Sequence, residues 1–156
     1  MAGASYITQA GVPVVGVRLR KLLGVVFVLF TLLAVNSLYL GAVTLLESVS
    51  GALYQDYFYL LMFLLHLLIG LLLIPPFMIF GILHQSRARL KSNRYAIRAG
   101  YLLFASGLVL LFSGVVLTRF GFLEINNPGV RAFAYWMHVG TPLLALWLFV
   151  VHRMAG

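Results

Sequence analysis

The sequence predicts an all-α membrane protein, a four-helix transmembrane up-down bundle. Three observations predict it. Of the 156 residues, 63% are hydrophobic and 9% charged, against about 25% charged in an ordinary soluble domain. Mean hydropathy is +1.05. Four apolar runs alternate with short polar loops, and each run meets the roughly 20 residues that a helix needs to cross the hydrocarbon layer.

The first 17 residues carry no charge and read as an N-terminal tail. Arg18, Arg20 and Lys21 then precede the first span, 22–46. That run is longer than a signal-peptide core and no clear cleavage site follows it, so it reads as a retained signal-anchor. The loop after it holds Glu47 and Asp56. The second span, 57–84, contains Pro75-Pro76 and ends in a loop rich in Arg and Lys. The third span is 95–118, and an Asn-Asn-Pro-Gly turn signal leads into the fourth, 130–152. Residues 18–156 thus form one transmembrane domain.

Charge orients the bundle. Arg18, Arg20, Lys21, Arg87, Arg89, Lys91, Arg94, Arg98 and Arg153 lie on one side, and only Arg119 and Arg131 on the other. The positive-inside rule then places both termini in the cytoplasm. The net charge of +8 would suggest nucleic acid in a soluble protein. Beside apolar spans it reads as topology signal and lipid headgroup contact, with no nucleic-acid partner. The chain has no cysteine. Thiolate metal sites, iron–sulfur clusters, thioether-linked haem and cysteine nucleophiles are excluded.

The chain's histidines are His66, His84, His138 and His152, two on the second span and two on the fourth. His138 and His152 are 14 residues apart and His66 and His84 are 18 apart. Both separations return to nearly the same helix face. Both helices descend in the same direction, so His66 pairs in depth with His138, and His84 with His152. Two neutral imidazoles facing across a bundle suit six-coordinate haem iron, which takes one nitrogen from each side of the macrocycle. Zinc or a di-iron centre would gather its ligands at one depth, often with carboxylates.

The third span carries Gly100, Gly107, Gly114 and Gly121, with Ala99, Ser106 and Ser113 beside the first three. A seven-residue step drifts slowly around a helix, so these residues form one stripe. Small residues line helix–helix contacts in membranes. Glycine also allows a flat macrocycle to approach the backbone, which makes Gly100, Gly107 and Gly114 candidate cofactor contacts. Gly70 and Gly140 lie close in sequence to His66 and His138. Pro142 removes the donor that would reach the His138 carbonyl, and the Thr141 hydroxyl is placed to satisfy it. Eighteen residues of helix rise about 27 Å and fourteen about 21 Å. A bend or tilt of the second span near Pro75-Pro76 is therefore expected. Arg119 and Arg131 are candidates for the propionates of an outer haem, and Arg87, Arg89 and Arg153 for those of an inner one.

Together these residues resemble the di-haem b-type cytochromes of membrane redox complexes. His-x13-His on the fourth span, two histidines on the second and glycines 14 apart on the third look like the four-helix haem core of the cytochrome b of cytochrome bc complexes. They are also similar to the small cytochrome b subunits that anchor bacterial dehydrogenases and reductases. The resemblance covers about residues 55–153. It implies a haem-binding domain with two non-covalent b haems on His66, His138, His84 and His152. It further implies transmembrane electron transfer between a quinone pool and partner redox subunits, such as a cytochrome c or an iron–sulfur protein, in a bacterial cytoplasmic membrane. The chain departs from the bc pattern in its wider second-span histidine spacing. It also has no Pro-Glu-Trp-Tyr-like quinol motif and no acid inside a span. Nothing in it makes or breaks substrate bonds, so an enzyme activity would belong to a larger oxidoreductase complex. Two other classes compete: a haem-free structural or assembly subunit, and a small transporter with histidine relays.

Overall fold

The computed structural model describes residues 16–90, 92–118 and 124–155. Four helices follow one another: α1 (Val17–Ser50), α2 (Tyr57–Ala88), α3 (Arg94–Leu117) and α4 (Pro128–Ala155). Each is long and apolar enough to cross a membrane. The protein is a multi-pass, all-α integral membrane protein, and no strand occurs among the described residues.

The helix ends follow local chemistry more than hydropathy. α1 starts at Val17, ahead of its basic cluster, and stops where Gly51 turns left-handed at φ 70. An unbranched glycine is the residue that takes this conformation without strain. Asp56 Oδ1 accepts from the Tyr59 amide at 2.8 Å and caps α2. Asn93 caps α3, and its side-chain amide donates to the Ala155 carbonyl at 2.6 Å, tying the start of α3 to the end of α4. Asn127 Oδ1 accepts from Gly129 and Val130, with Pro128 as the first helical residue of α4. Proline is pre-shaped for that position. The tail call for residues 1–17 lies outside the described residues except for Gly16 and Val17, as do Lys91, Arg119 and Gly121.

Consecutive helices pack in order, α1 on α2, α2 on α3 and α3 on α4, the last pair most closely. The tight α3–α4 seam comes from small residues. Ala99, Ser106 and Ser113 are buried on α3, and Ala134, Thr141, Ala145 and Leu148 on α4. Phe27 and Phe149 bring α1 and α4 edge to face at 5.5 Å. No Cα of α2 comes within 8 Å of a Cα of α4, so only side chains bridge that diagonal. Most large apolar side chains are exposed on the outer surface, where acyl chains replace water as solvent.

Candidate functional site

Two histidine pairs bridge the α2–α4 diagonal. His66 faces His138 with ring centroids 6.0 Å apart and planes at 76°. His84 faces His152 at 6.0 Å and 86°. The pairing expected from depth is the pairing the fold makes. The wider spacing on α2 costs neither pair its closure, and α2 remains helical through Pro75 and Pro76.

The α4 imidazoles are fixed by α3 in the same way at both depths. His138 Nδ1 lies 3.1 Å from the Leu110 carbonyl oxygen, and His152 Nδ1 lies 3.0 Å from that of Ala96. A carbonyl only accepts, so Nδ1–H donates in both rings and the proton-free Nε2 remains as a ligand atom. Metal-ligating histidines commonly donate their other N–H to a backbone carbonyl, which sets tautomer and ring orientation. Ser113 Oγ, which donates to Leu110 O at 2.9 Å, stands 3.3 Å from His138 Nδ1 as a further polar neighbour.

The glycine row explains how a ring reaches these carbonyls. Cβ atoms tilt toward a helix N-terminus, so a side chain four residues on covers a given carbonyl. Gly100 stands four residues after Ala96, and Gly114 four after Leu110. A Cβ on Gly100 would meet His152 Cε1 at 3.1 Å and Nδ1 at 3.3 Å, with Nε2 at 4.0 Å. A Cβ on Gly114 would meet His138 Cε1 at 3.0 Å and Nδ1 at 3.3 Å, with Nε2 again at 4.0 Å. The two seats are near-copies, 14 residues apart on one helix. Each rests the Nδ1–Cε1 edge on α3 and turns Nε2 away.

Gly107 has a different task. A Cβ there would clash with Phe77, and one on Gly81 of α2 would clash with Phe104. Phe77 and Phe104 stack with centroids 5.3 Å apart. The two rings thus lock α2 to α3 midway between the histidine pairs. Gly70 and Gly140, close in sequence to His66 and His138, have nothing within 4 Å of a Cβ position.

The α2 imidazoles are held less uniformly. Ser37 Oγ of α1 lies 3.4 Å from His66 Nδ1. His84 stacks on Phe80 at 5.2 Å and 11°, and its Nδ1 is buried without a hydrogen-bond partner. The Thr141 hydroxyl donates to the Met137 carbonyl rather than to that of His138. A threonine on a helix reaches the carbonyl four residues back, and from position 141 that is residue 137.

Two of the five arginines raised from sequence, Arg131 and Arg87, have described neighbours. Arg131 donates to the Leu117 carbonyl at 3.4 Å and the Ile125 carbonyl at 3.5 Å, bracing the α3–α4 connection. Arg87 reaches toward the start of α1, where its Nη1 lies 3.8 Å from a Cβ position on Gly16.

The donor set limits what the pairs can hold. No group of three or more His, Cys, Asp or Glu side chains gathers among the described residues. A closed tetrahedral metal site is therefore not assembled from these side chains. Each pair offers two nitrogens and no carboxylate. Two imidazoles are fewer donors than a closed metal site needs, so a metal held at either pair would have to bring its remaining ligands with it. Comparison with protein-family models, curated proteins and solved structures finds no match to this chain.

Proposed function

We propose that this chain is a membrane cytochrome b, an electron-transfer subunit holding two b-type haems. His66 and His138 would ligate one, and His84 and His152 the other. The observation that carries this reading is the equality of the two pairs. Both sit at 6.0 Å across the same helix diagonal, and their α4 members share one backbone seat repeated after 14 residues. Without cysteine the haems are bound by ligation and packing alone.

When bound, two such haems supply one-electron redox chemistry at two depths of the bilayer. The chain's own residues do the rest. The Leu110 and Ala96 carbonyls hold the Nδ1 protons of His138 and His152, which keeps Nε2 available. Gly114 and Gly100 make the room for that hold. Ser37 supports His66 from α1. Phe77 and Phe104 stack between the two pairs and hold α2 against α3 there.

In this reading the chain exchanges electrons with a quinone pool and an attached redox subunit, such as a cytochrome c or an iron–sulfur protein. It sits in a bacterial cytoplasmic membrane with both termini in the cytoplasm, the orientation favoured by nine of its eleven basic side chains. The test is a reduced-minus-oxidised spectrum with haem quantification on the purified chain. A b-type α-band with two haems per chain is expected. Absence of the band from protein made with ample haem would overturn the reading in favour of a haem-free subunit.

A further inference from the structure

We propose that the cavity between the start of α1 and the end of α2 binds the phosphate headgroup of an anionic phospholipid. The cavity measures about 490 Å³ and is lined by Arg18, Arg87, Gly16, Leu19, Leu22 and Leu83 among others. Two arginines and three leucines therefore line one cavity. Arginine forks match phosphate oxygens in a bidentate manner, and the leucines provide the apolar surface that an acyl chain needs. A free inorganic anion would make no use of that surface.

Charge balance points the same way. The chain has three acidic side chains, Glu47, Asp56 and Glu124. Glu47 and Asp56 bound the α1–α2 loop and Glu124 precedes α4, so all three belong to the opposite end of the bundle. Glu47 is 29 residues along α1 from Arg18, or about 44 Å of helix. That is several times the screening length of about 8 Å at physiological salt. None of these three carboxylates is placed to neutralise Arg18 and Arg87. At the end of a membrane span the anion at hand for two such arginines is a lipid phosphate.

The site is separate from the histidine pairs. Arg87 leaves α2 toward α1, whereas His84 leaves it toward α4. In this assignment Arg87 serves a lipid and not a haem propionate.

Native mass spectrometry of the full chain released from nanodiscs tests this. The discs contain equal phosphatidylglycerol and phosphatidylcholine with matched acyl chains. The wild-type chain is expected to retain one phosphatidylglycerol, with a preference over phosphatidylcholine on the order of tenfold or more. Arg18→Gln/Arg87→Gln is expected to abolish the preference. Arg20→Gln/Arg89→Gln removes the same charge from residues that do not line the cavity, and is expected to keep it. Equal loss in both double variants would mean diffuse surface attraction and overturn the site. Retention in Arg18→Gln/Arg87→Gln would also overturn it. So would displacement of the lipid by millimolar inorganic phosphate, which would identify a free-phosphate site. Circular dichroism of each variant confirms that it folds. Haem content is read in parallel, so failure of the lipid site is distinguishable from failure of the cytochrome reading.

Discussion

A Cβ atom on Gly114 would stand 3.0 Å from Cε1 of His138. The imidazole occupies the space that any other residue at 114 would claim. Gly114→Ala must push the ring off the Leu110 carbonyl by a few tenths of an ångström. Weakening a hydrogen bond of this kind costs about 1 kcal/mol, roughly a fivefold change in an equilibrium. Under the proposed function, haem loss from the His66–His138 pair should quicken by about that factor. Gly100→Ala should do the same to the His84–His152 pair through His152. Haem transfer to an acceptor apoprotein, followed spectrally, measures both. Indifference of both variants would remove the glycines from the site.

The histidines should fail in pairs. Under the proposed function, His66→Ala and His138→Ala each leave one haem per chain, and it is the same haem. His84→Ala and His152→Ala each leave the other. Haem stoichiometry and potentiometric titration of the four variants distinguish the residual centres. Four identical residual spectra would contradict two separate sites.

The Phe77–Phe104 lock should register as stability without a ligand change. Gly107→Ala drives a methyl group into Phe77. Overpacking of this type costs about 1–3 kcal/mol. Thermal melting in detergent should fall accordingly. Gly107→Ala/Phe77→Leu, which makes room again, should recover part of the loss. Haem stoichiometry is expected to stay unchanged in both.

Asn36 ties α1 to α2. It is 6% exposed, and its amide donates to the Met62 carbonyl at 3.0 Å. Its Oδ1 is buried without a partner. Interhelical hydrogen bonds in membrane proteins are worth about 0.6 kcal/mol on average. Asn36→Leu removes this modest bond together with the cost of the unpaired oxygen. Stability should therefore change by less than about 1 kcal/mol, read by denaturation in mixed micelles. A much larger loss would show that Oδ1 meets a buried water in the membrane.

Much of the fold was legible because lipid imposes strong rules. An apolar run of sufficient length must be a helix, and short loops force antiparallel neighbours. The histidine pairing followed from helical periodicity and the shared direction of the second and fourth spans. Other parts were not legible. Every helical residue has a carbonyl, so nothing marks Leu110 and Ala96 as acceptors until the neighbouring helix is in place. The small-residue stripe on α3 could be found but not divided. Ala99, Ser106 and Ser113 pack the α4 seam, while Gly100 and Gly114 seat imidazoles and Gly107 seats a phenyl ring. Ser37 was hidden because α1 offered only a generic span. One signal could have exposed it, since serine and asparagine side by side at Asn36-Ser37 are unusual in the middle of an apolar run.

The histidine pairs join two helical hairpins rather than neighbours within one. His66 and His84 belong to the α1–α2 hairpin, and His138 and His152 to α3–α4. The α3–α4 hairpin already orients both of its imidazoles through its own backbone. The molecule is therefore divisible: a break between α2 and α3 would part every pair and leave two fragments with two unmatched imidazoles each. Neither fragment alone completes a pair, and together they carry all the residues of both. The two halves of the chain meet at the histidine pairs, and each half brings two of the four rings.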